Sequence, residues 1–166
     1  MKVKSKITPC LWFDGTAEQA AEFYVSIFKN SKITGVSRYT EEGQEQHGQK
    51  PGSVMVVAFE LDGQSFTGLN GGPTFKFTEA ISFQIDCESQ EEIDHFWNHL
   101  SQGGPVEAQQ CGWVKDRFGV SWQVVPSILQ ELISDPDREK GDRAMAAMLS
   151  MKKLDIAALK KAHAGN

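Results

Sequence analysis

Several things are scarce in this chain, and each scarcity removes a class of protein. It carries three cysteines in 166 residues, Cys10, Cys87 and Cys111, an odd number with no C-x-x-C spacing. Neither a disulfide framework nor a thiolate zinc site organises it, so the thiols read as small buried side chains in a reduced, cytoplasmic setting, with no signal peptide expected. Positive charge is short as well: 17 Lys and Arg stand against 22 Asp and Glu, a net charge of −5. Nucleic acid is therefore not the expected partner. No apolar run approaches the roughly 20 residues of a membrane helix, and no segment is basic and amphipathic enough to lie on a bilayer. A glycine-rich strand-turn-helix loop for a nucleotide cofactor is also missing, because Gly71-Gly72-Pro73 is followed by no helical pattern.

What remains is an ordinary globular composition, 40% apolar and 23% charged, enough for one full core or two small modules. Ile7 to Phe13 reads as a strand, ended by Asp14-Gly15. Thr16 with Gln19 has capping-box spacing, and Ala20, Ala21, Tyr24, Ile27 and Phe28 recur at the helical period. Ile33 to Thr40 is a strand, Glu41 to Gly52 a polar loop holding His47, and Ser53 to Leu61 and Ser65 to Leu69 are strands joined by the Asp62-Gly63 hairpin turn.

After Asn70-Gly71-Gly72-Pro73 the pattern restarts. Ala80 to Asp86 is a strand, Ser89 and Glu92 repeat the capping box, and Ile93, Phe96, Trp97 and Leu100 fall at i, i+3, i+4 and i+7. Gly103-Gly104-Pro105 stops that helix before a strand expected over Val106 to Gln110, and Gly112 to Pro126 closes the unit as a hairpin with Asp116 and Gly119 in its turn. Asp14 matches Asp86 and Tyr24 matches Phe96 at an offset of 72, while Gly63 matches Gly119 and Phe66 matches Trp122 at 56. The halves are thus two copies of strand, helix and three strands, about 5–72 and 79–126, together one domain over 1–126. Residues 127–166 are a helical extension, an added layer or a dimer arm, broken at Asp135-Pro136 and at Lys152-Lys153.

The stretches Ile7 to Phe28 (ITPCLWFDGTAEQAAEFYVSIF), Gly112 to Pro126 (GWVKDRFGVSWQVVP) and Asp135 to Gly165 resemble the PhnB-like branch of the vicinal oxygen chelate superfamily, often labelled 3-demethylubiquinone-9 3-methyltransferase. The resemblance implies an α+β fold of two tandem βαβββ modules and a homodimer. It also implies a divalent metal held from the first and last strands of each module, at positions where this chain carries Thr8, Thr67, Ala80 and Gln123. Two hydroxyls, a methyl group and one amide are a poor donor set for a divalent ion. A one-residue register slip would bring in Glu79, but at the expense of exposing Ile81 and Phe83.

Strand alternation places Thr8, Cys10, Trp12, Thr67, Leu69, Ser82, Gln84 and Gln123 on the concave face, with Trp113 beside them, as a mixed polar and aromatic ligand pocket. His47 and Glu79 are the candidate catalytic groups, His47 as a general base and otherwise a solvated loop residue. His95 and His99 have chelating i, i+4 spacing but no third ligand, and Asp116-Arg117 either meets a ligand or caps its hairpin. Three functions are compatible with these residues. The first is a small-molecule binder without tightly bound metal, the second a metal-dependent lyase, isomerase or dioxygenase, and the third a ligand-sequestering dimer that catalyses nothing. The residues identify neither a reaction nor a ligand.

Overall fold

The computed structural model describes residues 5–166. The chain divides into two compact units, Met1–Lys76 and Phe77–Asn166.

The first unit runs β1 (Cys10–Phe13), α1 (Ala17–Ile27), β2 (Lys32–Arg38), α2 (Gln44–His47), β3 (Val54–Leu61) and β4 (Gln64–Asn70). Its sheet has the order β1-β4-β3-β2, with β1 parallel to β4 and the remaining pairs antiparallel. The Asp62-Gly63 turn has φ of 47° and 78° at its two central residues, the doubly left-handed geometry that matches the twist of a tight hairpin. Leu11, Phe13, Phe59 and Phe66 leave one sheet face and meet Ala17, Ala20, Tyr24 and Ile27 of α1, all buried. The rings of Phe59 and Phe66 stack at 5.5 Å, with Tyr24 at 6.2 Å from Phe59. Each such side chain contributes about 1.5–3 kcal/mol by leaving water.

The second unit runs β5 (Ser82–Cys87), α3 (Gln90–Leu100), β6 (Trp113–Lys115) and β7 (Ser121–Pro126), then α4 (Leu129–Ile133), α5 (Arg138–Ser150) and α6 (Ile156–Ala164). Its sheet has the order β5-β7-β6. Ile93, Trp97 and Leu100 of α3 pack with buried Ile85, Cys87, Trp122 and Val124 on the helix side of that sheet. The Ser89 hydroxyl accepts from the Glu92 N–H at 3.2 Å, while the Glu92 carboxylate accepts from the Glu88 N–H at 2.8 Å.

Four expectations are corrected. Val106 to Gln110 is not a strand: Val106–Ala108 forms a 3-10 turn, closed by the Ala108 N–H to Pro105 C=O and Gln109 N–H to Val106 C=O bonds, followed by a single bridge from Gln110 to Trp113. Pro105 has no N–H to offer a ladder. Thr16 makes no side-chain cap on α1, where Asn70 Oδ1 accepts the Ala17 N–H at 2.9 Å instead. β1 begins at Cys10, which leaves Thr8 exposed ahead of it.

The fourth correction concerns the repeat. Cys10 stands opposite Thr67, and Gln84 opposite Gln123. Gln84 is thus the counterpart of Cys10, 74 residues on, and the buried helix residues Tyr24 and Ile27 match Trp97 and Leu100, 73 residues on. The helix offset is one less than the strand offset because Asp14, Gly15 and Thr16 join β1 to α1, whereas Glu88 and Ser89 alone join β5 to α3. Phe96 is only partly buried, and the counterpart of Thr8 is Ser82. Ala80 lies in an exposed turn before β5.

The extension is a layer on the second unit. Leu129, Leu132, Ala144, Leu154 and Leu159 form its buried cluster, with Met148 and Met151 packed against them. Gln90 on α3 holds it from both ends of its amide, accepting from the Ile156 N–H at 2.9 Å and donating to the Leu154 carbonyl at 3.1 Å. The Cys111 and Gly112 N–H groups donate to the Met151 and Lys152 carbonyls, each at 2.8 Å. Arg143 donates to the Ala162 and His163 carbonyls, closing the C-terminal end of α6 with a cation.

A candidate ligand cavity in the second unit

Alternation along β5 and β7 sends Ile85, Cys87, Trp122 and Val124 to the helix side and leaves Ser82, Gln84, Ser121 and Gln123 on the other face. There the amides interlock. Gln123 Nε2 donates to Ser82 Oγ at 2.8 Å, and Gln84 Nε2 donates to Gln123 Oε1 at 3.4 Å. The Ser121 hydroxyl belongs to the same row, is buried, and has no hydrogen-bond partner among the described residues.

This face opens into a cavity of about 1030 Å³. Gln84 and Gln123 line it together with Trp113 from β6, Gln110 and Cys111 ahead of β6, and Met148 and Leu149 from α5. Its charge is of one sign, with carboxylates at Glu79, Asp86 and Glu107 and no Lys, Arg or His among the lining residues. Glu79 forms an ion pair with Lys115, whose ammonium holds the carboxyl below its ordinary range, aided by a backbone hydrogen bond. Asp86 and Glu107 are exposed to solvent.

Of the residues singled out from sequence, Gln84, Trp113, Gln123 and Glu79 line this cavity, and Ser82 borders it through Gln123. Sequence reasoning missed Gln110 and Cys111, and the available signal was the Gln109-Gln110-Cys111-Gly112 break ahead of Trp113. Cys111 has φ of +50°. Asp116 is buried inside the β6–β7 turn, so of its two readings the cap is the one the geometry realises.

The other candidates belong to the first unit. Cys10 and Trp12 alternate with buried Leu11 and Phe13, and Thr67 and Leu69 with buried Phe66 and Gly68, so all four share one sheet face. Trp12 is committed locally, its indole donating to the Gly72 carbonyl at 2.8 Å and meeting Phe75 edge-on at 4.8 Å. His47 Nδ1 accepts from the Gln49 N–H at 3.0 Å, its Nε2 faces the Glu42 carbonyl at 3.2 Å, and its ring packs 4.6 Å from Tyr39. Both ring nitrogens thus fasten the loop. On α3, His99 Nδ1 bonds the His95 carbonyl at 2.7 Å.

The donors do not fit a metal. The first unit offers only the hydroxyls of Thr8 and Thr67, the second only the Ser82 hydroxyl and the Gln123 amide, and among the described residues no three His, Cys, Asp or Glu side chains converge.

Among solved structures, the chain resembles a Pseudomonas aeruginosa protein, PA1353, at 18% identity and a TM-score of 0.55, covering 74% of this chain and 98% of that one. It also matches a lactoylglutathione lyase from Agrobacterium tumefaciens at 14% identity and a TM-score of 0.42, covering 78% and 98%. No curated protein matches. Its modules, each with parallel first and last strands and a helix across them, make it an α+β protein built on a repeated strand-helix-strand pattern. Within that class it is 37% identical to the PhnB protein from Bacillus cereus, at a TM-score of 0.64 and with 74% of this chain and 99% of that one covered. The model of the 3-demethylubiquinone-9 3-methyltransferase family matches residues 5–125, and the chain belongs to that family.

The family description implies S-adenosylmethionine, and the residues present do not fit it. Among the described residues no glycine-rich loop joins a strand to a helix, and at the N-termini of α1 and α3 the Ala17 and Glu92 N–H groups already donate to Asn70 and Ser89. No methyl-transfer step is derived from this site.

Proposed function

We propose that this chain is a glyoxalase-fold binding protein that holds a small molecule in the second-unit cavity, against the amides of Gln84 and Gln123 and the indole of Trp113, without a tightly bound metal. The observation that carries this reading is the lining itself, a cavity of ligand size with interlocked amides and an aromatic wall but no metal-grade donor set. The glyoxalase relationship supports a homodimer. Native mass spectrometry of freshly purified, untagged protein, set against the denatured mass, tests both parts. An organic adduct on a dimer, lost in Gln123→Ala, is the expected result. A stoichiometric metal adduct removed by Gln123→Ala would overturn the metal-free reading, and a monomer at micromolar concentration would remove the dimer.

A further inference from the structure

The family match ends at residue 125, and the Bacillus cereus PhnB chain, covered over 99% of its length, accounts for only 74% of this one. Contrary to the resemblance read in Asp135 to Gly165, the extension lies outside the shared part, yet it supplies Leu129 and Gln130 of α4 and Met148 and Leu149 of α5 to the cavity. It is also locked in place at the cavity's edge. Cys111, a lining residue, donates its N–H to Met151, two residues beyond Leu149, and its thiol lies 3.7 Å from the Leu149 carbonyl. Leu149 is 56% exposed, whereas its neighbour Met148 packs against the apolar cluster. The cavity thus has an apolar wall from the extension, an amide floor from β5 and β7, and acidic groups at Asp86 and Glu107.

Resting on the binding role proposed above, we infer that the extension is a specificity element, and that the ligand is an amphipathic molecule with a neutral or cationic head. Its apolar part lies on Met148 and Leu149, where leaving water drives association. Its head donates hydrogen bonds to the Gln84 and Gln123 carbonyl oxygens and to Asp86. A carboxylate or phosphate head would meet like charge with no cation in the lining to offset it.

Three probes with the same tail isolate the head: decylammonium, decanol and decanoate, each below its micelle concentration, titrated calorimetrically into the full-length protein. Decylammonium and decanol bind, and decanoate is weaker by about tenfold, the scale of close like-charge contact in a partly solvated site. Leu149→Ser weakens all three in parallel, by about fivefold for a partly buried side chain. Met148→Gln gives the same readout should Leu149→Ser fold poorly. Asp86→Asn removes only the advantage of decylammonium over decanol. Binding lost in Gln123→Ala but unchanged in both extension variants overturns the specificity wall while leaving the cavity reading intact. Binding that survives all of these variants lies elsewhere and overturns both. Decanoate binding as tightly as decylammonium, or no probe binding at all, rejects the proposed ligand class, and the native mass spectrum then decides the cavity reading independently.

Discussion

The indole Nε1 of Trp122 donates to Asp116 Oδ2 at 2.8 Å, and both residues are almost wholly buried. The other carboxylate oxygen accepts the Phe118 and Val120 N–H groups at 2.8 and 3.1 Å. One side chain therefore closes the β6–β7 turn and ties it to the Trp122 indole of the second core. Asp116→Ala leaves three donors without their acceptor, and a loss of about 3–5 kcal/mol is expected. Asp116→Asn, which keeps one acceptor oxygen, loses less. Chemical denaturation checks this, and an unchanged midpoint in Asp116→Ala would show that the turn holds without its carboxylate.

Gly104 follows the end of α3 where the chain passes the Lys115 backbone. A Cβ there would lie 2.0 Å from the Lys115 carbonyl oxygen, which is main chain and cannot swing aside. Gly104→Ala is expected to cost about 2–3 kcal/mol by forcing that backbone apart. Because Lys115 carries the ion pair to Glu79, the cavity rim shifts with it. A melting temperature within one degree of wild type, about the scatter of an ordinary surface substitution, would rule this out.

Burial pushes the Cys87 thiol up to about 12, with Glu92 and Asp86 adding to the effect. At pH 8 it stays protonated and out of reach, while Cys10 is exposed and Cys111 partly so. Native alkylation with iodoacetamide followed by peptide mass analysis should leave Cys87 unmodified until denaturant is added. The raised value also has a sign for stability, since the folded state keeps its proton longer than the unfolded one, and stability declines as pH rises from 9 toward 12. Early modification of Cys87 at pH 8 would contradict its burial.

Two carboxylates hold the extension from different sides. The Lys153 ammonium lowers the Asp94 carboxyl, with help from Gln90, and the Asp137 N–H followed by His163 lowers that of Asp135. Depressed carboxyls stabilise above their unfolded value, 3.8 for both, and that contribution disappears as pH falls through the lower folded values. Amide exchange in α6 should therefore accelerate below pH 4 relative to α3, after correction for the intrinsic rate. Asp94→Asn should move this onset only for the contacts around Lys153. Uniform acceleration across both helices would mean that the extension does not loosen as a separate layer.

Most of the fold is legible in the order of residues because it rests on local rules. Period-2 alternation placed Leu11, Phe13, Phe66 and Trp122 against the helices, period 3.6 marked α1 and α3, and Asp62-Gly63 and Gly119 announced their turns before any contact was known. The same alternation put Gln84 and Gln123 on one face, since a side chain's direction along a strand follows from its neighbours alone. Tertiary structure decided what depends on partners distant in sequence. The cap on Ala17 comes from Asn70, 53 residues away, so Thr16 did not need to provide it. Pairing across the sheet set the strand offset at 74 and exchanged Ala80 for Ser82, and the connecting loop shorter by one residue then brought the helices to an offset of 73. The extension reads as amphipathic helices from its own sequence, but only packing shows where the apolar side goes. Gln90, Cys111 and Gly112 hold it on the second unit, and Met148 and Leu149 thereby become part of the cavity wall.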